Sequence, residues 1–237
     1  MTPTTAAQKT ALITGASRGL GLALSRALAG RGWRLVIDAR GAAALEAARA
    51  ELARTTTVTA ISGDIADPAH RCALADAARD AGGIDAIVNN ASVLGPSPQP
   101  HLLDYPLDAL EHVYRVNVFA PLALIQEVHA RDALREGGCI INMTSDAAVE
   151  PYEGWGGYGS SKAALEQFTA ILAAEVPSAR VYRVDPGDMN TQMHQEAYPG
   201  EDISDRPPPD DSVPGIVALI EGDAPSGRYA ARAVAVG

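Results

Sequence analysis

Short apolar runs recur along the chain with segments of helical character between them. The runs are TALIT at 10–14, RLVID at 34–38, TVTAI at 57–61, IDAIVN at 84–89, GCIINMT at 137–144 and ARVYRV at 179–184. Runs of this length, rich in β-branched residues, predict strands. The stretches between them are Ala-rich, with helices predicted near 107–135 and 158–176. Strands that alternate with helices form repeated βα units, and such units build a parallel sheet covered on both faces. The fold class expected is therefore α/β, a single Rossmann-type doubly wound parallel sheet of six to seven strands flanked by helices. The seventh strand would lie near GRYAA. Residues 1–237 are read as one domain, since no internal repeat or long linker divides them. Ligands of such a sheet bind at the carboxyl ends of its strands. The stretch 186–211 departs from the pattern, because YPGEDISDRPPPDD is polar, acidic and rich in proline. It predicts a mobile excursion over about 188–211, either a solvated loop or a lid over a substrate.

Composition narrows the function. A chain of 237 residues that is 47% hydrophobic can bury a substantial core. A net charge of -10 argues against nucleic acid as a partner, because a phosphate backbone calls for clustered cations. No apolar run approaches the roughly 18 residues of a membrane span. Cys72 and Cys139 are far apart and form no C-x-x-C pair. The simplest expectation is a reduced, cytoplasmic protein. The five histidines, at 70, 101, 112, 129 and 194, show no metal-ligand spacing and are read as surface or loop residues; no metal is expected.

Two motifs carry chemistry. TGASRGLG at 14–21 follows the first strand and opens a helix. Its glycines, Gly15, Gly19 and Gly21, let backbone approach a pyrophosphate, which the free N–H groups and positive dipole end of the helix favour. The spacing is T-G-x-x-x-G-x-G, which is neither the G-x-G-x-x-G fingerprint nor a P-loop. The second motif is YGSSK at 158–162. The chain has 17 Arg and only two Lys, Lys9 and Lys162. Lys162 follows Tyr158 by four residues, so on a helix the phenol and the ammonium share a face. An ammonium is a compact point charge where guanidinium is a planar fork. A nearby ammonium favours the phenolate and so lowers the tyrosine pKa, which suits Tyr158 to acid–base work.

These residues resemble the classical short-chain dehydrogenases/reductases over nearly the whole chain. The resemblance rests on TGASRGLG at 14–21, GDI at 63–65, NNAS at 89–92, Asn117 within RVNVFAPL, Ser145 within NMTSDAA, YGSSK at 158–162 and PGDMNT at 186–191. Ser92 departs from the Gly usual after NNA. The stretch PYEGWGGYGSSKAALE followed by RVDPGDMNTQM is most similar to the sepiapterin reductase and diketone reductase branch. The resemblance implies Tyr158 as general acid or base, with Lys162 tuning it and binding the nicotinamide ribose. It also implies Ser145 holding the substrate carbonyl and Asn117 keeping a water on the proton route. Cofactor contacts are implied at Gly15, Ser17, Arg18, Gly19, Leu20 and Gly21 of the turn, at Asp64 and Ile65 beside adenine, and at Asn89 and Ala91 by the adenosine ribose. Pro186, Gly187 and Thr191 would meet the nicotinamide end, and Tyr158 and Lys162 would touch the cofactor as well. Family members that prefer NAD carry an acid where this chain has Ala39. Asp38 faces the other way, and Arg40 and Arg18 can clamp a 2′-phosphate, so NADP is the cofactor expected. The activity expected is reduction of a ketone or aldehyde. The reverse alcohol oxidation, or a non-catalytic nucleotide sensor on the same fold, are the alternatives. The partner implied is a small carbonyl or alcohol, and the resemblance also implies a homodimer or homotetramer, since the helices near 107–135 and 158–176 commonly pair in this family.

Overall fold

The computed structural model describes residues 8–236, so the two ends of the span 1–237 lie outside the described residues. β1 (Thr10–Ile13) is buried along its whole length, because it runs between β2 (Arg34–Ala39) and β4 (Ile84–Asn89). β3 (Val58–Ser62), β5 (Leu134–Met143), β6 (Arg180–Asp185) and β7 (Gly227–Ala230) complete a seven-stranded sheet of order β3-β2-β1-β4-β5-β6-β7. All neighbouring strands are parallel. The order reverses after β3, which puts the ligand crevice at the carboxyl ends of β1 and β4.

Alternation along each strand divides the core in two. Ile13, Leu35, Ile37 and Val88 face one layer with α1 (Gly19–Gly30), α2 (Ala42–Leu52) and α8 (Val213–Glu221). Leu12, Val36, Ile87 and Ile140 face the other, with α3 (Pro68–Asp80) and the helices that follow β4. Those helices differ from the single run predicted over 107–135. α4 (Leu107–Tyr114) passes into a π-helical turn (Arg115–Phe119) and then α5 (Ala120–His129). β5 begins at Leu134, ahead of the predicted 137, since its first residues LREGG are polar or partly exposed and carry no strand signal. Its pairing with β4 shifts register between Ile84 and Ala86, where Gly137 takes φ +71°.

α6 (Gly156–Glu175) brings Tyr158 and Lys162 to the crevice on its buried side. The proline-rich stretch 186–211 contains a short helix, α7 (Gln192–Ala197), capped by the Thr191 hydroxyl. Asn190 N–H donates to the Pro207 carbonyl at 2.8 Å, and Arg206 stands 3.8 Å from the Asp188 carboxylate. This segment therefore has internal structure that its composition conceals. No helix among the described residues is long and apolar enough to cross a membrane.

Candidate active site

The glycine turn is held from three sides. Gly15 and Gly19 adopt φ +66° and +53°, which L side chains rarely take. A Cβ on Gly21 would lie 2.4 Å from the Gly15 carbonyl oxygen. Asn90 Nδ2 donates to the carbonyls of Thr14 and Gly15 at 2.9 and 3.2 Å. Asp38 Oδ1 accepts the Gly15 N–H at 2.7 Å, and its Oδ2 lies 2.9 Å from His70 Nε2. No side chain caps α1, and its first turn contains no acidic residue. The leading N–H groups thus remain available to an anion at the carboxyl end of β1.

A cleft of about 760 Å³ runs from this turn to the tyrosine. Arg40, Asp64 and Ile65 line one end, Tyr158, Lys162 and Pro186 the other, with Ser17, Arg18, Gly19, Leu20, Ala91 and Thr191 between them. Two expectations need correction here. The Asn89 side chain does not reach the cleft, because it is buried and donates to Asn142 Oδ1 at 2.8 Å; its neighbour Asn90 lines the wall instead. His70 is not a surface or loop residue, since it sits buried on α3 against Asp38. Gly187 lies just beyond the lining, its N–H donating to Asp185 Oδ1 at 2.9 Å. Asp38 faces α3 as strand alternation requires, and its carboxylate is spent on Gly15 and His70.

Lys162 is almost fully buried, donates from Nζ to the Met143 carbonyl at 2.8 Å and stands 5.4 Å from the centre of the Tyr158 ring. Burial lowers its ammonium to about 8. The expectation that the neighbouring ammonium leaves the phenol acidified is not met. Burial of Tyr158, reinforced by the carboxylates of Asp185 and Asp146, raises the phenol above its ordinary value, while a hydrogen bond with Ser92 opposes the rise. Desolvation wins because the phenolate would be charged in a buried place.

Ser145 and Asn117 lie behind the cleft lining. The Ser145 hydroxyl donates to Asp146 Oδ1 at 2.9 Å, and Tyr152 donates to the other carboxylate oxygen at 2.9 Å. Asn117 belongs to the π-helical turn, and its side chain is fully engaged. Its Nδ2 donates to the Val93 carbonyl and to Ser161 Oγ, and its Oδ1 accepts from Ser92 Oγ and the Val93 N–H. The side-chain amide is therefore fully engaged and fixes the 92–93 backbone.

Sequence reasoning missed Asn90, the Asp38–His70 pair and Asp146. Asn90 could have been found as the neighbour of a motif residue in NNAS. Asp38 and His70 are 32 residues apart, and no local pattern links them. On the substrate side, Val93, Met189 and Met193 line the cleft, Leu94 packs with Ala147 and Tyr158, and Val149 lies outside, more than half exposed.

Comparisons with known proteins show which family and fold the chain shares. Benzil reductase ((S)-benzoin forming) of Saccharomyces cerevisiae is 34% identical over 198 residues, covering 79% of this chain and 74% of that protein. Serine 3-dehydrogenase of Agrobacterium fabrum is 33% identical over 189 residues, with 78% and 73% covered. The crystal structure of a blue fluorescent protein from a metagenomic library, in complex with NADPH, superposes with a TM-score of 0.82 at 30% identity, covering 94% of this chain and 95% of that one. The profile of the short chain dehydrogenase family matches residues 9–202. That span takes in the glycine turn, Asn117, Ser145, Tyr158 and Lys162 in one continuous match, and the chain belongs to the short chain dehydrogenase family of oxidoreductases.

Proposed function

We propose that this protein is an NADPH-dependent reductase of a ketone or aldehyde, with Tyr158 as proton donor. The observation that carries the reading is the continuous cleft from the glycine turn to the buried Tyr158 and Lys162. The turn fits a dinucleotide, since Gly15 and Gly21 leave no room for side chains at an uncapped helix start. When bound, the nicotinamide supplies the hydride. Tyr158 then gives its phenolic proton to the carbonyl oxygen as negative charge gathers there. Burial disfavours the phenolate, so Tyr158 holds that proton at neutral pH until the carbonyl oxygen takes it. Lys162, as ammonium, stabilises the phenolate left behind. Ser145 Oγ turns from Asp146 to the substrate oxygen and polarises it. For the phosphate-bearing cofactor, Arg18 and Arg40 line the cleft, Ala39 offers no acid, and Asp38 is occupied. The segment 188–211 serves as a lid. Met189, Thr191 and Met193 line the cleft, and Arg18 donates to Gln192 across its mouth.

The test is steady-state turnover on a panel of diketones, quinones, pterins and simple ketones, with each nicotinamide, for the wild type and Tyr158→Phe. The wild type should favour NADPH, and the variant should keep its cofactor affinity while turnover falls by roughly 10²–10⁴. Near-normal turnover by Tyr158→Phe would refute the mechanism, and a wild-type preference for NADH would refute the cofactor assignment.

A further inference from the structure

The last strand carries an arginine that reaches under the active site. Arg228 lies on β7, at the sheet edge and beyond the 9–202 span that the family profile matches. Its guanidinium makes three contacts, each on a different segment. Nε donates to Glu166 Oε1 at 2.9 Å, and Nη2 donates to the Ser145 carbonyl at 3.2 Å and to Asp185 Oδ2 at 3.3 Å. These three partners are neighbours of the chemistry. Glu166 is one helical turn after Lys162 on α6 and also accepts the Thr144 hydroxyl at 2.7 Å. Asp185 closes β6 and holds the Gly187 N–H of the PGD turn. Ser145 is the residue read as polarising the substrate carbonyl.

Charge makes the arrangement costly to break. Glu166 and Asp185 are both more than nine-tenths buried. Burial raises the Asp185 carboxyl, and the Arg228 charge opposes that rise. Arg228 is the cation hydrogen-bonded to both carboxylates. Removing one partner of a buried ion pair leaves an uncompensated charge, which must neutralise or move toward water. Here a movement would carry the Ser145 backbone, the PGD turn and the Lys162 face of α6 with it.

We propose that Arg228 is a positioning residue for the reaction. It fixes the Ser145 main chain relative to α6 and to the turn after β6, so that the serine hydroxyl and the Tyr158 phenol address one oxygen atom. The inference rests on the roles proposed above for Ser145 and Tyr158. A planar fork suits three acceptors on three segments, whereas a lysine could supply the charge without the geometry.

The experiment compares Arg228→Ala, Arg228→Lys and Tyr158→Phe in the full chain, reading kcat, KM, cofactor affinity and Tm, with and without guanidinium chloride below denaturing concentration. Sodium chloride controls for ionic strength. Arg228→Ala should lose about 10²-fold in kcat, the scale of an ångström-sized misplacement, with a far smaller change in KM. Added guanidinium should restore part of that kcat to Arg228→Ala and none to Tyr158→Phe. Arg228→Lys should keep the wild-type Tm and lose roughly tenfold in kcat; it carries the test alone if the alanine variant does not fold. Wild-type kcat in either variant, or a loss that follows Tm and ignores guanidinium, would overturn the inference. If Tyr158→Phe also stays active, the reading of the site fails and not the role of Arg228 alone.

Discussion

Lys162 carries a charge that the folded protein buries at a cost in stability. Its ammonium is buried with a carbonyl as hydrogen-bond partner, and burial brings it to about 8, against about 10.4 in an unfolded chain. Between those values the unfolded chain binds more protons than the folded one, so this group makes stability rise with pH across that window. Below about pH 8 the penalty is present in full. Lys162→Met keeps the aliphatic stem and removes the charge, so it should stabilise the cofactor-free protein at pH 7 by about 1–3 kcal/mol, after allowing for the lost hydrogen bond. The gain should fade as pH approaches 10, and activity should be lost. Urea unfolding at pH 7 and pH 10 measures both; a variant less stable than wild type at pH 7 would mean that the ammonium is well satisfied where it lies. The Tyr-x-x-x-Lys spacing was legible in the sequence because helical geometry alone puts the two side chains on one face. The direction of the Tyr158 shift was not, because it depends on burial and on Asp185, 27 positions away in the chain.

At the scale of elements, the start of α1 is built by steric exclusion. Gly21 sits in the first turn of α1, with the Gly15 carbonyl and the Asn90 amide pressed against the place of its missing side chain. Gly21→Ala would push the turn open at backbone atoms, where nothing flexible can give way. The expected result is a loss of cofactor affinity of at least roughly tenfold, measured by fluorescence titration, together with destabilisation of about 1–3 kcal/mol from overpacking. An alanine variant that binds cofactor normally would show that the turn has slack. Elements of this kind were readable to different degrees. The strands were legible since a parallel sheet covered on both faces gives continuous apolar runs. The polar first half of β5 hid its true start, and nothing in RVNVF marks a π-helical turn inside a longer helical pattern. α7 was lost among prolines and acids, although Thr191 followed by QMHQEA carries the cap that starts it.

For the whole molecule, the exposed apolar side chains bear on assembly. On the α4–α5 rod Leu107 is about three-quarters exposed and Phe119 just over half, and Phe168 and Ile171 on the outer side of α6 are roughly two-fifths exposed. The rod packs against α6, and a shallow apolar groove lined by Leu110, Tyr114 and Phe119 runs along it. Exposed apolar side chains on adjacent helices are the kind of surface that a partner can cover, and we propose a second copy of the chain as the occupant. In a two-fold interface each substitution is installed twice, so one added charge meets its own copy or a desolvated apolar surface. Wild-type protein at micromolar concentration should sediment at no less than twice its mass of 24.6 kDa, and Phe168→Glu combined with Phe119→Glu should sediment as the monomer. Because Tyr158 and Lys162 lie on the inner side of the same α6, loss of its outer support should also lower turnover. A wild-type monomer at that concentration would remove the partner from the argument, and a charged variant that stays assembled would move the interface to another face.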